Sequence, residues 1–290
     1  DGDLRIACGV ESMTRAPFVM PKASNAFDRK PEIFDTTMGW RFVNNNLSTL
    51  YYPYTMGETA ENVAKQWNIS RHAQDEFALE SQQKYATAFK EKRWTDEIVP
   101  LQITAGKDLV DFEKDEHPRE SSLEKLGQLK PAFLKNGTVT AGNSSGINDG
   151  AAALLLASKD AVIKYGLSPM AKIKSMAVAG VEPSVMGIGP VPATLKALDR
   201  AGLTINNLDL IELNEAFAAQ SIACIHDLGL DLEKVNVNGG AIALGHPLGC
   251  SGARISTTLL HEMKRRKSKI GLATMCVGVG QGAAIIYESV

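Results

Sequence analysis

The second half of the chain alternates short apolar runs with helical segments, and this alternation limits the fold more than any other feature. The predicted elements are a strand and turn over 1–18, a buried strand or helix over 151–157, strands over 172–179, 208–213 and 235–237, and helices over 193–201, 216–228 and 252–267. Two final apolar runs, 270–276 and 283–288, are joined by alternating glycines and predict a closing hairpin. Strands that alternate with helices indicate an α/β fold.

Residues 19–135 differ from this pattern because they are polar, aromatic and irregular, with a helical pair at their centre. Apolar residues recur at helical spacing over 59–67 and predict the first helix. The second is predicted over 71–92, with Ser70 as its N-cap. The chain therefore contains a second, less regular unit beside its α/β part.

Composition excludes several classes of function. A net charge of −2 gives the 290-residue chain no basic face for nucleic acid or for anionic lipid. No run approaches the roughly 18 apolar residues that cross a bilayer, so membrane insertion is not expected. The length allows two domains, or one large one, with a hydrophobic core.

The four cysteines lie far apart, with no CxxC pair, which excludes a zinc site or a compact disulfide framework. Free thiols and the absence of a signal peptide favour the cytoplasm, although a removed leader would leave no trace in this sequence. The chain begins Asp-Gly-Asp, without Met, and passes directly into the strand-like run 4–8. We therefore expect that a segment upstream has been removed or left out.

Two glycine-rich segments contain the sharpest chemical candidates. In 238–254, His246 stands between Gly245 and Pro247, which fixes where its imidazole points. A structural turn whose histidine only bonds the backbone is an equal alternative. In 276–282, Cys276 precedes alternating glycines whose N–H groups could form an oxyanion hole. A thiol with a pKa near neutrality could transfer protons there, but a buried structural cysteine is favoured on these grounds alone.

Two further segments are polar and lie next to buried elements. Asn214 stands at a strand-to-helix junction, where its amide could cap the helix or face a bound water or carbonyl. The segment 141–150 is a tight polar loop, and such loops are usually turns but can also cradle the amides of a pantetheine arm.

In order and spacing, these segments resemble the thiolase family across essentially the whole chain. The matching motifs are Gly9-Val10-Glu11-Ser12-Met13-Thr14, Asn214-Glu215-Ala216-Phe217, Gly245-His246-Pro247 and Cys276-x-Gly-x-Gly. The segments 34–44 and 57–64 resemble the degradative 3-oxoacyl-CoA and 3-oxoadipyl-CoA thiolases, which are acetyl-CoA C-acyltransferases of the kind used in fatty acid degradation.

The resemblance implies a fold of two stacked α/β halves in five layers, with a loop domain over the coenzyme A site. It places the rest of the N-terminal half at 1–18 and 148–168. The loop domain, which binds coenzyme A, is expected at 19–147, and the C-terminal half at 169–290. The family also implies homodimers or homotetramers.

The resemblance further implies a ping-pong Claisen reaction on CoA thioesters. His246 would activate a nucleophilic cysteine, and Cys276 would exchange the α-proton of acetyl-CoA. Asn214, through a water, would steady the enolate oxygen together with His246. The Gly278 N–H would hold the oxyanion of the acyl-cysteine. No cofactor is expected to be bound permanently, because coenzyme A is a substrate.

By the same resemblance, several residues would contact coenzyme A, and a local basic cluster is expected at its phosphates. Ser145 and Phe217 would line the pantetheine channel, and Met56 and Phe133 would contact the acyl or pantetheine portion. Arg119 is a candidate for the nucleotide end.

One element of the family pattern is missing from this sequence. The nucleophile belongs to a Cys-Gly-Ser-rich segment upstream of the Glu-Ser-Met motif, and Cys8 does not replace it. The chain as given should therefore lack roughly the first quarter of a thiolase and be inactive alone. The alternatives are an acetoacetyl-CoA-forming acetyl-CoA acetyltransferase, a non-catalytic CoA-thioester-binding protein, and a condensing enzyme for acyl-carrier-protein substrates, against which the Cys276-x-Gly-x-Gly ending argues.

Overall fold

The computed structural model describes residues 2–290 and shows a mixed α/β architecture, as predicted. The strands are β1 (Leu4–Ser12), β2 (Phe18–Val19), β3 (Phe34–Asp35), β4 (Leu101–Ala105), β5 (Asp108–Phe112), β6 (Asp149–Ala157), β7 (Ala171–Gly180), β8 (Leu210–Leu213), β9 (Ile270–Val277) and β10 (Gln281–Ser289). The helices are α1 (Asn45–Leu50), α2 (Met56–Gln66), α3 (Arg71–Lys90), α4 (Leu123–Gly127), α5 (Lys159–Tyr165), α6 (Pro190–Ala201), α7 (Ala218–Leu228), α8 (Ala241–Leu244) and α9 (Ser251–Arg266). Within residues 2–290, no helix combines the length and apolar character needed to cross a membrane.

The main sheet has the strand order β7-β10-β9-β8. β10 is antiparallel to both of its neighbours, so the predicted closing hairpin is confirmed and β10 occupies an inner position. β8 and β9 run parallel, with Leu210 opposite Gly271 and Leu213 opposite Thr274. The carboxyl ends of β8 and β9 therefore meet at one edge of the sheet.

Helices cover both faces of the main sheet. Leu198 of α6 and Leu228 of α7 belong to the core that buries one face of Leu272 and its neighbours. Leu259 and Met263 of α9 belong to the core on the other face. Burial of an aliphatic side chain of this size is worth about 1.5–3 kcal/mol. These two cores fix the position of the sheet, and the side chains at the carboxyl ends of β8 and β9 are therefore held in defined places.

A second, smaller sheet consists of β1 and β6, which pair antiparallel from Leu4 opposite Ala157 to Ser12 opposite Asp149. α9 contacts both sheets and so lies between them. In the part of the chain that the structure describes, four layers are therefore stacked in this order: helices α6 and α7, the main sheet, helix α9, and the sheet of β1 and β6.

The helical pair in the irregular region forms as predicted, with its bounds set by side-chain caps. The Ser70 hydroxyl accepts a hydrogen bond from the main-chain N–H of Ala73 at the start of α3. α2 begins three residues earlier than the predicted start because Thr55 and Glu58 form a capping box. This box places Met56 in the first turn of α2.

The prediction that the run 151–157 is buried is wrong. The run is a strand, but Leu155 is 59% exposed and Leu156 is 38% exposed. Within residues 2–290, β6 pairs with β1 alone, and α9 covers one face of this small sheet. Within the described residues, nothing covers the other face, which is why these leucines are exposed.

The predicted strand over 235–237 is also wrong. Val235 makes a single parallel bridge with Ile211, and Asn236 then turns the chain with a φ of 44°. The Asn236 side chain accepts from the N–H of Leu213 over 2.9 Å and donates to the Leu213 carbonyl over 2.8 Å. A side-chain amide therefore replaces the main-chain ladder that a further strand would have supplied.

Candidate active site

Two predicted site residues lie at the carboxyl edge of the main sheet. Asn214 follows β8 directly, and its main-chain N–H donates to the carbonyl of Thr274 in β9 over 3.0 Å. Cys276 lies two residues further along β9. Because the two strands are parallel, both residues occupy the same end of the sheet, where ligands commonly bind in α/β proteins.

His246 reaches the same edge from the turn that follows α8. Its Nε2 atom lies 3.3 Å from Nδ2 of Asn214. Gly245 has a φ of 103°, and a Cβ at this position would lie 2.4 Å from the side chain of Asn148. Asn148 Oδ1 in turn accepts a hydrogen bond from the His246 N–H over 3.3 Å. The turn thus requires glycine, and Asn148 fixes the main chain that supports the imidazole.

The imidazole of His246 is only 8% exposed. Burial, with a smaller effect from the positive charge of Arg254, lowers the pKa of His246 to about 4. The ring is therefore neutral near pH 7 and has a lone pair that can accept a proton.

Cys276 lies in an apolar cluster, in contrast to the polar surroundings of Asn214. The buried members of this cluster are Ala60, Val139, Met186, Ala216, Phe217 and Cys276. Burial raises the pKa of Cys276 to about 12, so the thiol is protonated at neutral pH. Its pKa is thus far above the near-neutral value on which the predicted proton transfer was conditional, because burial removes water from the thiol. A protonated thiol suits proton donation to a strong base such as a carbanion.

The predicted acyl and pantetheine contacts join this same cluster. Met56 and Phe133 pack against it, and the rings of Phe133 and Phe217 meet edge to face with centroids 6.0 Å apart. A Cβ on Gly278 would lie 3.6 Å from the Met56 sulfur. The structure therefore brings Met56, Phe133, Phe217 and Gly278 together around Cys276.

Ser145 connects the polar loop 141–150 to the Asn214 segment. Both its N–H and its hydroxyl donate to the carbonyl of Ala216 over 3.0 Å. Arg119 is exposed and lies two residues from His117, whose ring would contact a Cβ placed on Gly146. Its main-chain N–H donates to Gln82 Oε1. Arg119 is thus close to the polar loop, with its side chain toward solvent.

Glu215 supports the turn that contains His246, a role that the sequence did not reveal. Its carboxylate accepts from the Ser81 hydroxyl, the Asn236 amide and the Ile242 N–H over 2.7, 2.8 and 3.1 Å. These bonds tie α3 and the start of α8 to the end of β8. The only sequence feature that pointed to Glu215 was its place next to Asn214 in the Asn214-Glu215-Ala216-Phe217 motif. Its hydrogen-bond partners are far apart in the sequence, so the motif alone did not reveal this supporting role.

A cluster of charged side chains lies around Arg254, with Glu212 buried and Asp115 exposed, and was also not predicted. Arg254 Nη1 is 3.3 Å from Glu212 Oε2. Burial raises the pKa of Glu97 to about 8 and also raises that of Asp115. The guanidinium thus faces several acidic groups, and its charge is one reason why His246 resists protonation.

Comparison with known proteins gives one family for both parts of the chain. The thiolase N-terminal domain matches residues 1–160, and the thiolase C-terminal domain matches residues 167–289. The 3-oxoadipyl-CoA/3-oxo-5,6-dehydrosuberyl-CoA thiolase of Escherichia coli K12 is 56% identical over the whole chain, which covers 73% of that protein. The acetyl-CoA acetyltransferase of Syntrophomonas wolfei is 51% identical at the same coverage.

Solved structures agree with these relatives. Human mitochondrial 3-ketoacyl-CoA thiolase superposes with a TM-score of 0.90 at 42% identity, over 99% of this chain and 72% of that one. The structure of the same human enzyme in complex with CoA gives a TM-score of 0.91, over 99% of this chain and 71% of that one.

Proposed function

The chain belongs to the thiolase family, and on this premise we propose that it uses coenzyme A to cleave 3-oxoadipyl-CoA into acetyl-CoA and a shortened acyl-CoA. As a thiolase, it is a CoA-dependent acyltransferase. The observation that supports this reaction best is the meeting of His246, Asn214 and Cys276 at one sheet edge, beside an apolar cluster that could hold an acyl chain.

In this proposal, His246 removes the proton from a nucleophilic cysteine sulfur, which attacks the 3-oxo carbon. The bond to the α-carbon breaks, its electron pair forms the enolate of acetyl-CoA, and the Cys276 thiol protonates that carbon. The sulfur of a second coenzyme A then takes the acyl group. From the family motif we propose that the nucleophile is none of the four cysteines in this chain, and kinetic assays therefore use the full product of the gene.

Two further groups would stabilise charge during these steps. Asn214 Oδ1 is buried and has no hydrogen-bond partner within residues 2–290, which supports a bridging water between this amide and the enolate oxygen. We assign the oxyanion of the acyl-cysteine to the N–H of Gly278, which follows β9 beside Met56.

The choice of 3-oxoadipyl-CoA is supported by sequence identity and by the position of the segment 34–44. Relatives named for this substrate are 52–56% identical to the chain. Within the segment, Trp40 Nε1 donates to the Tyr54 carbonyl over 2.7 Å. The segment therefore packs next to the start of α2, where Met56 contacts the apolar cluster. Acetoacetyl-CoA is the second candidate substrate, because an acetyl-CoA acetyltransferase is 51% identical.

Substrate choice can be measured as thiolysis of the two 3-oxoacyl-CoA thioesters under the same conditions. We expect kcat/KM for 3-oxoadipyl-CoA to exceed that for acetoacetyl-CoA about tenfold or more, which is within the reach of a pocket that discriminates by fit. The reverse order would identify an acetyl-CoA acetyltransferase. Binding of coenzyme A without turnover of either thioester would identify a non-catalytic CoA-thioester-binding protein.

We further propose that the pantetheine arm lies along Ser145, Phe217, Met56 and Phe133, with its phosphates near Arg119. Reversal of charge in Arg119→Glu should weaken coenzyme A binding about 2- to 10-fold at low salt, since exposed charge pairs are individually weak and screened. Calorimetry at low and high salt measures this change. Arg200→Glu, at the end of α6, makes the same charge change elsewhere, and equal affinities for both variants would contradict the contact.

We propose the domain bounds that the family pattern suggested: 1–18 and 148–168, 19–147, and 169–290. They are supported by the separation of β1 and β6 from the main sheet. The four free cysteines support a reducing compartment such as the cytoplasm. We also propose a homodimer or homotetramer, which light scattering on the full gene product would test.

A further inference from the structure

Ser251, the first residue of α9, makes a very short contact with the His246 imidazole. Its Oγ atom lies 2.6 Å from His246 Nδ1 and 2.9 Å from the carbonyl oxygen of Pro247. Ser251 is 1% exposed, so water does not compete for either contact. Three polar atoms, the ring nitrogen, the hydroxyl oxygen and the carbonyl oxygen, thus form a buried chain.

The protons in this chain can be placed by counting donors. Each of the two short contacts needs one proton, because two lone pairs at these distances would repel each other. The carbonyl of Pro247 has no proton, and the hydroxyl of Ser251 has one. The hydroxyl proton therefore lies toward Pro247, and the second proton comes from Nδ1 of His246. This places the neutral ring in the Nδ1–H form, with its lone pair on Nε2.

The neighbouring amide does not use this lone pair. Asn214 Nδ2 lies 3.5 Å from Nδ1 and 3.3 Å from Nε2 of His246. The in-plane bonding directions of the two ring nitrogens diverge, so a group almost equidistant from both is in line with neither. Nε2 is consequently left free to accept a proton from a substrate or a nucleophile.

We propose that Ser251 is the positioning residue that fixes His246 as the Nδ1–H tautomer and so presents Nε2 as the catalytic base. The inference rests on the base role of His246 in the proposed function. Ser251 does not touch the reacting atoms in this scheme, because it acts on the opposite nitrogen of the ring. The depressed pKa of His246 agrees with a ring that remains neutral while it is held in this way.

The tautomer can be read directly from the ¹⁵N chemical shifts of His246 in histidine-labelled protein, with His246→Gln used to assign its signals. We expect the Nδ1–H form in the wild type. In Ser251→Ala, the signals should move toward the Nε2–H form, and kcat/KM should fall about 10- to 100-fold, since a histidine held as the wrong tautomer is a poor base. Ser251→Thr keeps the hydroxyl and should recover both the tautomer and most of the activity.

Ser256 provides the matched control on the same helix. Its hydroxyl is buried and donates to the carbonyl of Gly252 over 2.9 Å, as Ser251 does to Pro247, and Ser256→Ala should leave the His246 signals unchanged. An Nε2–H ring in the wild type, or equal activity losses in Ser251→Ala and Ser256→Ala, would overturn the proposal. The spectrum does not depend on turnover. An Nδ1–H ring without thiolysis would therefore reject the proposed function and leave the positioning role intact.

Discussion

Replacement of Cys276 by serine should remove proton exchange at the α-carbon of acetyl-CoA while acyl transfer to coenzyme A largely survives. The structure holds the thiol in an apolar cluster, protonated at neutral pH. A hydroxyl is a far weaker acid, so general acid catalysis worth about 10²–10⁴-fold should be lost from the carbon–carbon step. His246→Ala should instead suppress both half-reactions, because its base acts on the nucleophilic sulfur in each.

Rapid-quench measurement of the two half-reactions separates these effects, and loss of ¹H signal from the acetyl-CoA methyl group in D₂O reports the exchange step alone. Cys224→Ser is the matched control, because Cys224 is also a buried thiol whose pKa burial raises, but it lies within α7 and belongs to the core of the main sheet, not to the cluster around Cys276. Equal losses in both half-reactions for Cys276→Ser would contradict the proposal that Cys276 acts only in proton exchange at the α-carbon.

Gly282→Ala should destabilise the fold strongly, although it adds only one methyl group. A Cβ at Gly282 would lie 1.9 Å from the carbonyl oxygen of Gly189 and 2.1 Å from its carbon. Both are main-chain atoms at the start of α6, so they cannot rotate away as a side chain could. We expect a loss of at least about 3 kcal/mol in the free energy of unfolding, and a fall in Tm of roughly 5–10 °C.

Gly252→Ala is the control for this substitution, since a Cβ there would meet only the Met275 sulfur at 3.8 Å. Within α9, the change to alanine should be neutral or should stabilise by up to ~1 kcal/mol. Thermal and denaturant unfolding of the two variants gives the comparison. A Gly282→Ala protein as stable as Gly252→Ala would show that the contact between β10 and α6 relaxes without cost.

The sequence predicted the elements that local signals determine. Ser70 caps α3 as expected, and the glycines that follow Cys276 join β9 to β10. The motif residues His246, Asn214 and Cys276 also meet at one place. For Asn214 and Cys276 this follows from the parallel pairing of β8 and β9, which brings their carboxyl ends together, whereas His246 reaches Asn214 from the turn after α8.

The rest depends on contacts between distant segments, which periodicity and motif do not report. Asn148 lies 98 positions before His246, and Ser81 lies 134 positions before its partner Glu215. Ser251 is close in sequence to His246, yet its role appears only in the two distances that determine the proton positions. The strand predicted at 235–237 failed for a related reason, since the Asn236 side chain satisfies the backbone that a strand would have paired.

The inner position of β10 has a consequence for synthesis of the protein on the ribosome. This strand is the last of the main sheet to be translated, yet β7 and β9 both pair with it. Until it emerges, the facing edges of these two strands have no partner, and an unpaired edge invites association with other chains. The main sheet must therefore close after β10 has been translated, and a nascent chain stalled before this strand would be a substrate for chaperones and proteases.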